Sequence, residues 1–350
     1  MQRTSSISEG KGVNPRNSSV ELYRIIATFA VLILHFNGWF VGGVPERFDY
    51  SNPTLFRTGQ MIIDAATIIC VNMFIIISGY FGIKLKLSSV IKLCVYLALI
   101  YIPFYFLYAA SHGFVLNHFI RKCLVISNAG YFIQCYFMLM ILSPVLNSFI
   151  DKYGKNCLKW VIVFFAMEFW FGCIMHVEEL GYNHGYSVIH FVLIYMIARC
   201  IRLFEQDIKR IKSHVWIYGY LLSTVAIIIC YLLGIRWCWD YSNPIVVLSS
   251  VFSFLPFLYR TFYNKAINWI AGGTLAVYII QVTSPAHDFL KAMDNHLLES
   301  YSYYMYLLLA FGVIVITFSC SMLYGKVCSY LSNLISSRII RRTKDFCEDA

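Results

Sequence analysis

Along the chain, apolar residues arrive in long runs separated by short polar breaks. Ten runs stand out, near 20–40, 61–83, 90–111, 131–149, 157–176, 186–203, 214–235, 243–260, 267–287 and 302–325. Each has the roughly 17–25 residues that an α-helix needs to cross a hydrocarbon core about 30 Å thick. The pattern predicts an all-α polytopic membrane protein with about ten transmembrane helices. Polar residues interrupt the runs at 131–149 and 186–203, which carry the weakest signals. The opening MQRTSSISEGKGVNPRNSS is polar and basic, with no A-x-A cleavage pattern, and reads as a tail before an uncleaved first helix. The expected organisation is a disordered tail at 1–19, a membrane domain at 20–325 and a C-terminal tail at 326–350.

Composition supports the class. Of 350 residues, 59% are hydrophobic and 13% charged, about half the charged share of an ordinary soluble domain. The net charge of +10 is unevenly placed. The two ends and the breaks after even-numbered runs hold 21 of the 28 Lys and Arg residues, and Arg24 lies inside the first run. The opposite breaks hold six, Arg47, Arg57, Arg121, Lys122, Arg236 and Lys291, together with the acids Glu178, Glu179, Asp240, Asp288 and Asp294. Cation-rich loops stay in the cytoplasm, so both termini are expected there. The excess positive charge is a topology signal, and no nucleic-acid partner is expected.

Other classes find little support. The twelve cysteines are scattered with no C-x-x-C pair, as small apolar residues would be. No phosphate loop or dinucleotide fingerprint occurs, and the halves show no convincing repeat. His112, His118, His176, His184, His287 and His296 form no pair with ligand spacing on one helix face, so no metal site is expected.

Ionisable groups inside the runs are the candidate chemistry, because each costs roughly 2.5–3.5 kcal/mol to insert. ELYRIIATFAVLILHF, residues 21–36, contains Arg24 and His35 eleven residues apart. Eleven steps of about 100° place both on one helix face, roughly 16 Å apart along the axis. Arg24 is either a snorkelling anchor or an anion-binding group at the cytoplasmic end. His35, deeper, suits proton transfer near neutral pH. VNMFIIISGYFGIKLK, residues 71–86, brings Ser78 and Gly79, a pair that permits close helix approach, and then Lys84 and Lys86 at the inner surface. Asp64 lies at the depth of His35, a candidate to orient its imidazole. Glu168, midway through the fifth run, is a candidate partner for Arg24 or another cation, or a cavity-facing acid. His190 reads as an interfacial residue or a catalytic partner. Most Tyr and Trp at run ends form an interfacial belt, with Trp237, Trp239 and Tyr241 as candidate sugar-stacking residues.

The R-x10-H spacing of Arg24 and His35, followed by F-I-I-I-S-G-Y, resembles the acyltransferase type 3 family of integral-membrane O-acyltransferases. YFIQCYFMLMILSPVLN at 131–147 and GGTLAVYIIQ at 272–281 are similar to two further family segments. The resemblance spans about 20–325. It implies roughly ten helices and transfer of an acyl group, usually acetyl from cytoplasmic acetyl-CoA, to a carbohydrate hydroxyl. Arg24 and His35 then correspond to the family's paired essential residues, and Ser78 and Gly79 to its second-helix signature. Lys84 and Lys86 stand where many members have arginine, and Lys lacks the bidentate fork for phosphate. Gln281 stands where the ninth-helix segment usually ends in histidine, which leaves His35 either to deprotonate the acceptor hydroxyl or to carry the acetyl group transiently itself. Acetyl-CoA enters this reading as a co-substrate with no resident cofactor, its phosphates near Arg24 and Lys84 or Lys86. The setting is the plasma or inner membrane, with polysaccharide-assembly proteins as candidate partners. The rival reading is a transporter or flippase for a lipid-linked sugar.

The charge asymmetry generates a test of topology. Reporter fusions after His118, Tyr182 and Asn295 should read external and fusions after Lys155 and Lys209 internal; reversal at two of these sites overturns the orientation.

Overall fold

The computed structural model describes residues 17–126 and 130–348; of the tail expected at 1–19, residues 1–16 lie outside them, and Ser18 and Ser19 open the first helix. Its α-helices are α1 (Ser18–Asn37), α2 (Leu55–Thr67), α3 (Cys70–Phe81), α4 (Leu87–His112), α5 (Leu116–Cys123), α6 (Tyr131–Tyr153), α7 (Cys157–Glu168) and α8 (Val188–Leu203). They continue with α9 (Glu205–Ile208), α10 (Ser213–Leu232), α11 (Pro244–Phe254), α12 (Lys265–Ala271), α13 (Thr274–Gln281), α14 (Ala286–Ser300) and α15 (Tyr303–Glu348). No strand occurs among the described residues.

Local chemistry sets several boundaries. The Asn17 side chain accepts from the Ser19 N–H at 3.1 Å and caps α1. Ser18 Oγ donates to Asn268 Oδ1 at 2.9 Å, tying this start to α12. Gly82 ends α3 with φ of +75°, a conformation glycine adopts without a Cβ penalty. Asn243 caps α11, whose first residue, Pro244, has no N–H to leave unpaired.

Among the described residues, seven helical stretches are long and apolar enough to cross a membrane, and eight when a bent pair is taken as one span. The expectation of ten runs differs from this count for identifiable reasons. Helix α8 has only 16 residues. The stretch Tyr131–Ile174 is a single 44-residue apolar run interrupted by a 3-10 turn at Gly154–Asn156. The run near 267–287 is not one helix: α12 and α13 meet at Gly272–Gly273, and α14 departs at 78° after Pro285. Proline disfavours helical geometry at the residue before it and cannot donate to the preceding turn. At the C-terminal end, no Gly or Pro follows Gly325, and α15 runs on to Glu348.

Helices α3 and α8 form the centre. Ile75, Ile76, Phe191, Ile194 and Tyr195 are buried there, and α1 and α11 pack on α3 while α6 and α7 pack on α8. Around this centre, α4, α10 and α15 leave Leu107, Leu222 and Leu308 exposed, as lipid-facing helices do. At the α3–α8 seam a Cβ on Gly79 would come within 2.7 Å of Ala198 Cβ and 2.8 Å of the Tyr195 carbonyl oxygen. The backbone of α8 sits where a side chain would go, so Gly79 acts as a close-approach residue.

Gly79→Leu should therefore destabilise the bundle by about 1–3 kcal/mol. The measurement is thermal unfolding of the purified protein in detergent. Gly312→Leu serves as the control, since a Cβ at Gly312 meets no atom within 4 Å.

Candidate active site

The last turn of α1 opens onto a cavity of about 660 Å³. His35, Gly38 and Trp39 form one wall, Asp64 and Cys70 a second, and Tyr131, Tyr186, Tyr241 and Tyr278 an aromatic third. Lys122, Thr283 and Ser284 complete its rim. Lys122 lies in a break that is poor in Lys and Arg, and Thr283 and Ser284 lie near the outer end of the run at 267–287.

His35 is held by Gln281. Its Nδ1 lies 3.1 Å from Gln281 Oε1; with the amide in this orientation Nδ1 donates and Nε2 is the basic nitrogen, while Gln281 Nε2 is buried without a hydrogen-bond partner. Among the described residues Nε2 has no hydrogen-bond partner, and it is not among the buried unpaired atoms. Trp39 packs edge-on to the imidazole at 4.9 Å between ring centres. Trp39 in turn contacts His287 of α14 at 4.6 Å, and Asn295 Nδ2 of α14 donates to Phe40 O at 3.0 Å. The 78° bend thus lays α14 across the end of α1.

Asp64 has a different role from the one expected. Its Oδ1 accepts from Asn37 Nδ2 at 2.7 Å, and Asn37 also exchanges bonds with Gln60. A Cβ on Gly38 would lie 3.1 Å from Asp64 Oδ2, so glycine lets the carboxylate approach the end of α1. Gln281, rather than Asp64, orients His35. The reason is direction: Asp64 faces Asn37, which lies about 200° around α1 from His35.

Arg24 and His35 share a helix face, yet only His35 lines the cavity. Arg24 is half-buried and bonded to Glu21 Oε2 at 2.8 Å, an i,i+3 pair that competes with any more distant carboxylate. Of the alternatives open to Glu168, pairing with Arg24 does not form. Glu168 Oε1 instead lies 3.0 Å from His190 Nδ1, and His190 Nε2 lies 2.8 Å from Asn72 Oδ1. Asn72 Nδ2 then donates to the Tyr241 carbonyl at 3.2 Å. Glu168 and His190 are fully buried and line neither the cavity nor an interface. This chain joins α7, α8 and α3 to the loop that carries Tyr241 into the cavity wall.

The remaining candidates lie apart from His35. Ser78 Oγ donates to the Phe74 carbonyl at 3.0 Å and lies 3.3 Å from the Tyr136 hydroxyl, and Gly79 is the packing contact described above. Lys84 and Lys86 are exposed after the end of α3. Of the three proposed stacking residues only Tyr241 reaches the cavity, because Trp237 packs on Phe169 and Trp239 on Tyr231. No cluster of three metal-ligating side chains occurs among the described residues. Sequence reasoning missed Tyr131, Tyr186 and Tyr278 as a wall, since Tyr131 and Tyr186 sit at run ends as interfacial tyrosines do and Tyr278 lies mid-run among apolar residues.

A membrane-embedded helical bundle around a histidine with one nitrogen held and the other free has the form of a multi-pass membrane enzyme. The chain belongs to the acyltransferase type 3 family: the family model, described as an acyltransferase domain, matches residues 17–326. It is therefore an acyltransferase of the kind that transfers groups other than aminoacyl groups. No curated protein and no solved structure matches the chain.

The buried Glu168–His190 contact predicts a structural effect. Glu168→Ala leaves His190 Nδ1 unpaired in the core and should cost about 1–3 kcal/mol of stability, with Glu168→Gln costing less because it can still accept the bond. Unfolding of the two purified variants in detergent, compared with the parent, measures the difference.

Proposed function

We propose that the protein is an O-acetyltransferase that moves an acetyl group from acetyl-CoA to a hydroxyl of a cell-surface polysaccharide or its lipid-linked precursor, in the plasma or inner membrane. The observation that carries this reading is His35, which lines the cavity with Nδ1 held by Gln281 and no hydrogen-bond partner on Nε2 among the described residues. In this reaction His35 Nε2 takes the proton of the acceptor hydroxyl as its oxygen attacks the thioester carbonyl. The carbon–sulfur bond breaks, and the imidazolium returns the proton to the departing thiolate of CoA. Gln281 accepts from Nδ1 throughout, keeping the imidazole in the tautomer that has a basic Nε2. The aromatic wall of Tyr131, Tyr186 and Tyr241 suits the apolar faces of sugar rings.

The topology that fits this chemistry has ten spans with both termini in the cytoplasm. In it, α6 and α7 with its π-helical end cross separately, since 44 residues would extend about 66 Å if straight, twice the hydrocarbon thickness. Helix α8 crosses inside the protein, where surrounding helices rather than lipid meet its ends. The broken α12–α13 stretch is the ninth span, and α14 lies on the outer side without crossing. Acetyl-CoA then reaches the site from the cation-rich side, with Arg24, held by Glu21, and the exposed Lys84 and Lys86 available to its phosphates. The acceptor meets His35 from the opposite side.

Two measurements test the proposal. NMR of the surface polysaccharide from cells with and without the gene should show O-acetyl signals only when it is present; a flippase would change the amount of polymer but not its acetylation. In membranes, His35→Gln should lower acetyl transfer per protein molecule by at least about a hundredfold, since glutamine cannot take up a proton near neutral pH. Normal transfer by this variant overturns the general-base role.

A further inference from the structure

A second, smaller cleft of about 290 Å³ adjoins the His35 cavity. Tyr105, Tyr108, His118, Arg121, Lys122 and Ser284 line it, and Lys122 and Ser284 also line the larger cavity. The two spaces therefore share a wall. The lining of the smaller one holds two cations and a histidine, and no carboxylate.

These cations are unusual in both position and pairing. They lie in α5, in a break on the side of the chain that holds only six of its 28 Lys and Arg residues. Among the described residues, none of His118, Arg121 and Lys122 makes an ion pair. Asp288, four residues beyond Ser284, is engaged by His287 at 3.1 Å. Lys122 lies half-buried over the Tyr101 ring at 5.6 Å, and this burial pushes its pKa below the usual lysine range. A partly desolvated ammonium with no counter-ion gains from an anion placed beside it. The helix is also held in place: the Tyr105 hydroxyl donates to the Val115 carbonyl at 2.7 Å and accepts from the Val115 N–H at 2.9 Å, fixing the start of α5 against α4.

We propose that this cleft binds an anionic group of the acceptor, a phosphate or a carboxylate, while the hydroxyl to be acylated sits at His35 in the adjoining cavity. The proposal rests on the acyl-transfer reading above and adds the substrate class: the acceptor is a sugar that carries negative charge near its reactive hydroxyl. Arg121 offers a planar fork that matches two oxygens of either group, and Lys122 adds a point charge at the shared wall. An uncharged sugar leaves both cations unpaired and is bound less tightly. The site contributes binding and register, and no proton or bond changes hands in it.

The test reads binding without using catalysis. Full-length protein in vesicles of phosphatidylcholine alone is treated with a lysine-methylating reagent, and modification of Lys122 is followed by mass spectrometry of its peptide. Exposed Lys291, on the same side of the chain, is the internal reference. Glucose 1-phosphate and glucuronate should slow methylation of Lys122 but not of Lys291, and methyl glucoside should slow neither. Arg121→Gln should raise the concentration of glucose 1-phosphate needed for half-protection by about tenfold or more. Equal effects of charged and neutral sugars overturn the proposal. So does protection of Lys122 by phosphatidylglycerol in the vesicles that glucose 1-phosphate does not compete away, which assigns the cleft to lipid headgroups. Protection by the anionic sugars in a protein that leaves the polysaccharide unacetylated would retain the cleft and remove the transfer reading.

Discussion

The seam between α3 and α8 is the contact on which the rest of the bundle depends. At one end Gly79 lets the two backbones come within side-chain distance of each other. At the other, Asn72 of α3 meets His190 of α8 at 2.8 Å, and Glu168 of α7 closes the chain. In hydrocarbon no hydrophobic driving force pulls helices together, so close packing and satisfied polar contacts have to do so. This seam has both. Once it is set, α1 and α11 have one face of α3 on which to pack, and α6 and α7 have the faces of α8. The cavity is the space left where α1 ends and the loops from α6, α8 and α11 converge.

The polar residues singled out near this cavity differ in how they are held. Arg24 is met by Glu21, Asp64 by Asn37, and His190 by both Glu168 and Asn72. Each of these would be costly alone in a low-dielectric interior. His35 differs in having one ring nitrogen bound and one open to the cavity. That asymmetry suits a base: the bound nitrogen sets tautomer and orientation, and the open one remains available to substrate. The same contrast separates Lys122 and Arg121, which lack counter-ions beside the cavity, from the Arg202–Glu205–Lys209 group, whose charges are mutually satisfied at 2.6 Å.

Bending is as important here as spanning. A straight helix through 267–287 and a separate loop would leave the end of α1 facing solvent. Instead the break after Gln281 places that residue beside His35, and the 78° turn brings α14 and His287 over Trp39. Irregular backbone within a membrane protein is tolerated where it lines a cavity or is covered by protein, and this break does both.

How much was legible in the chain follows from the range of each interaction. Apolar runs of spanning length, the all-helical class, the uneven Lys and Arg placement and the R-x10-H spacing are local patterns; they point to the membrane class and the family, and they place His35 inside the first helix. The Arg24–Glu21 pair is local as well, an i,i+3 contact readable from residues 21–24. The partners of His35, Asp64 and Glu168 were not readable. Gln281 lies 246 residues from His35, and Asn72 lies 118 from His190. Periodicity reports which face of its own helix a side chain occupies, and is silent on which other helix meets that face. The sequence by itself determined that helices would form and span, and that a histidine would be carried inside one of them. Only the tertiary structure decided which polar groups became partners and which nitrogen stayed free, because those outcomes depend on helix–helix approach distances that side-chain volume at positions such as Gly79 and Gly38 sets.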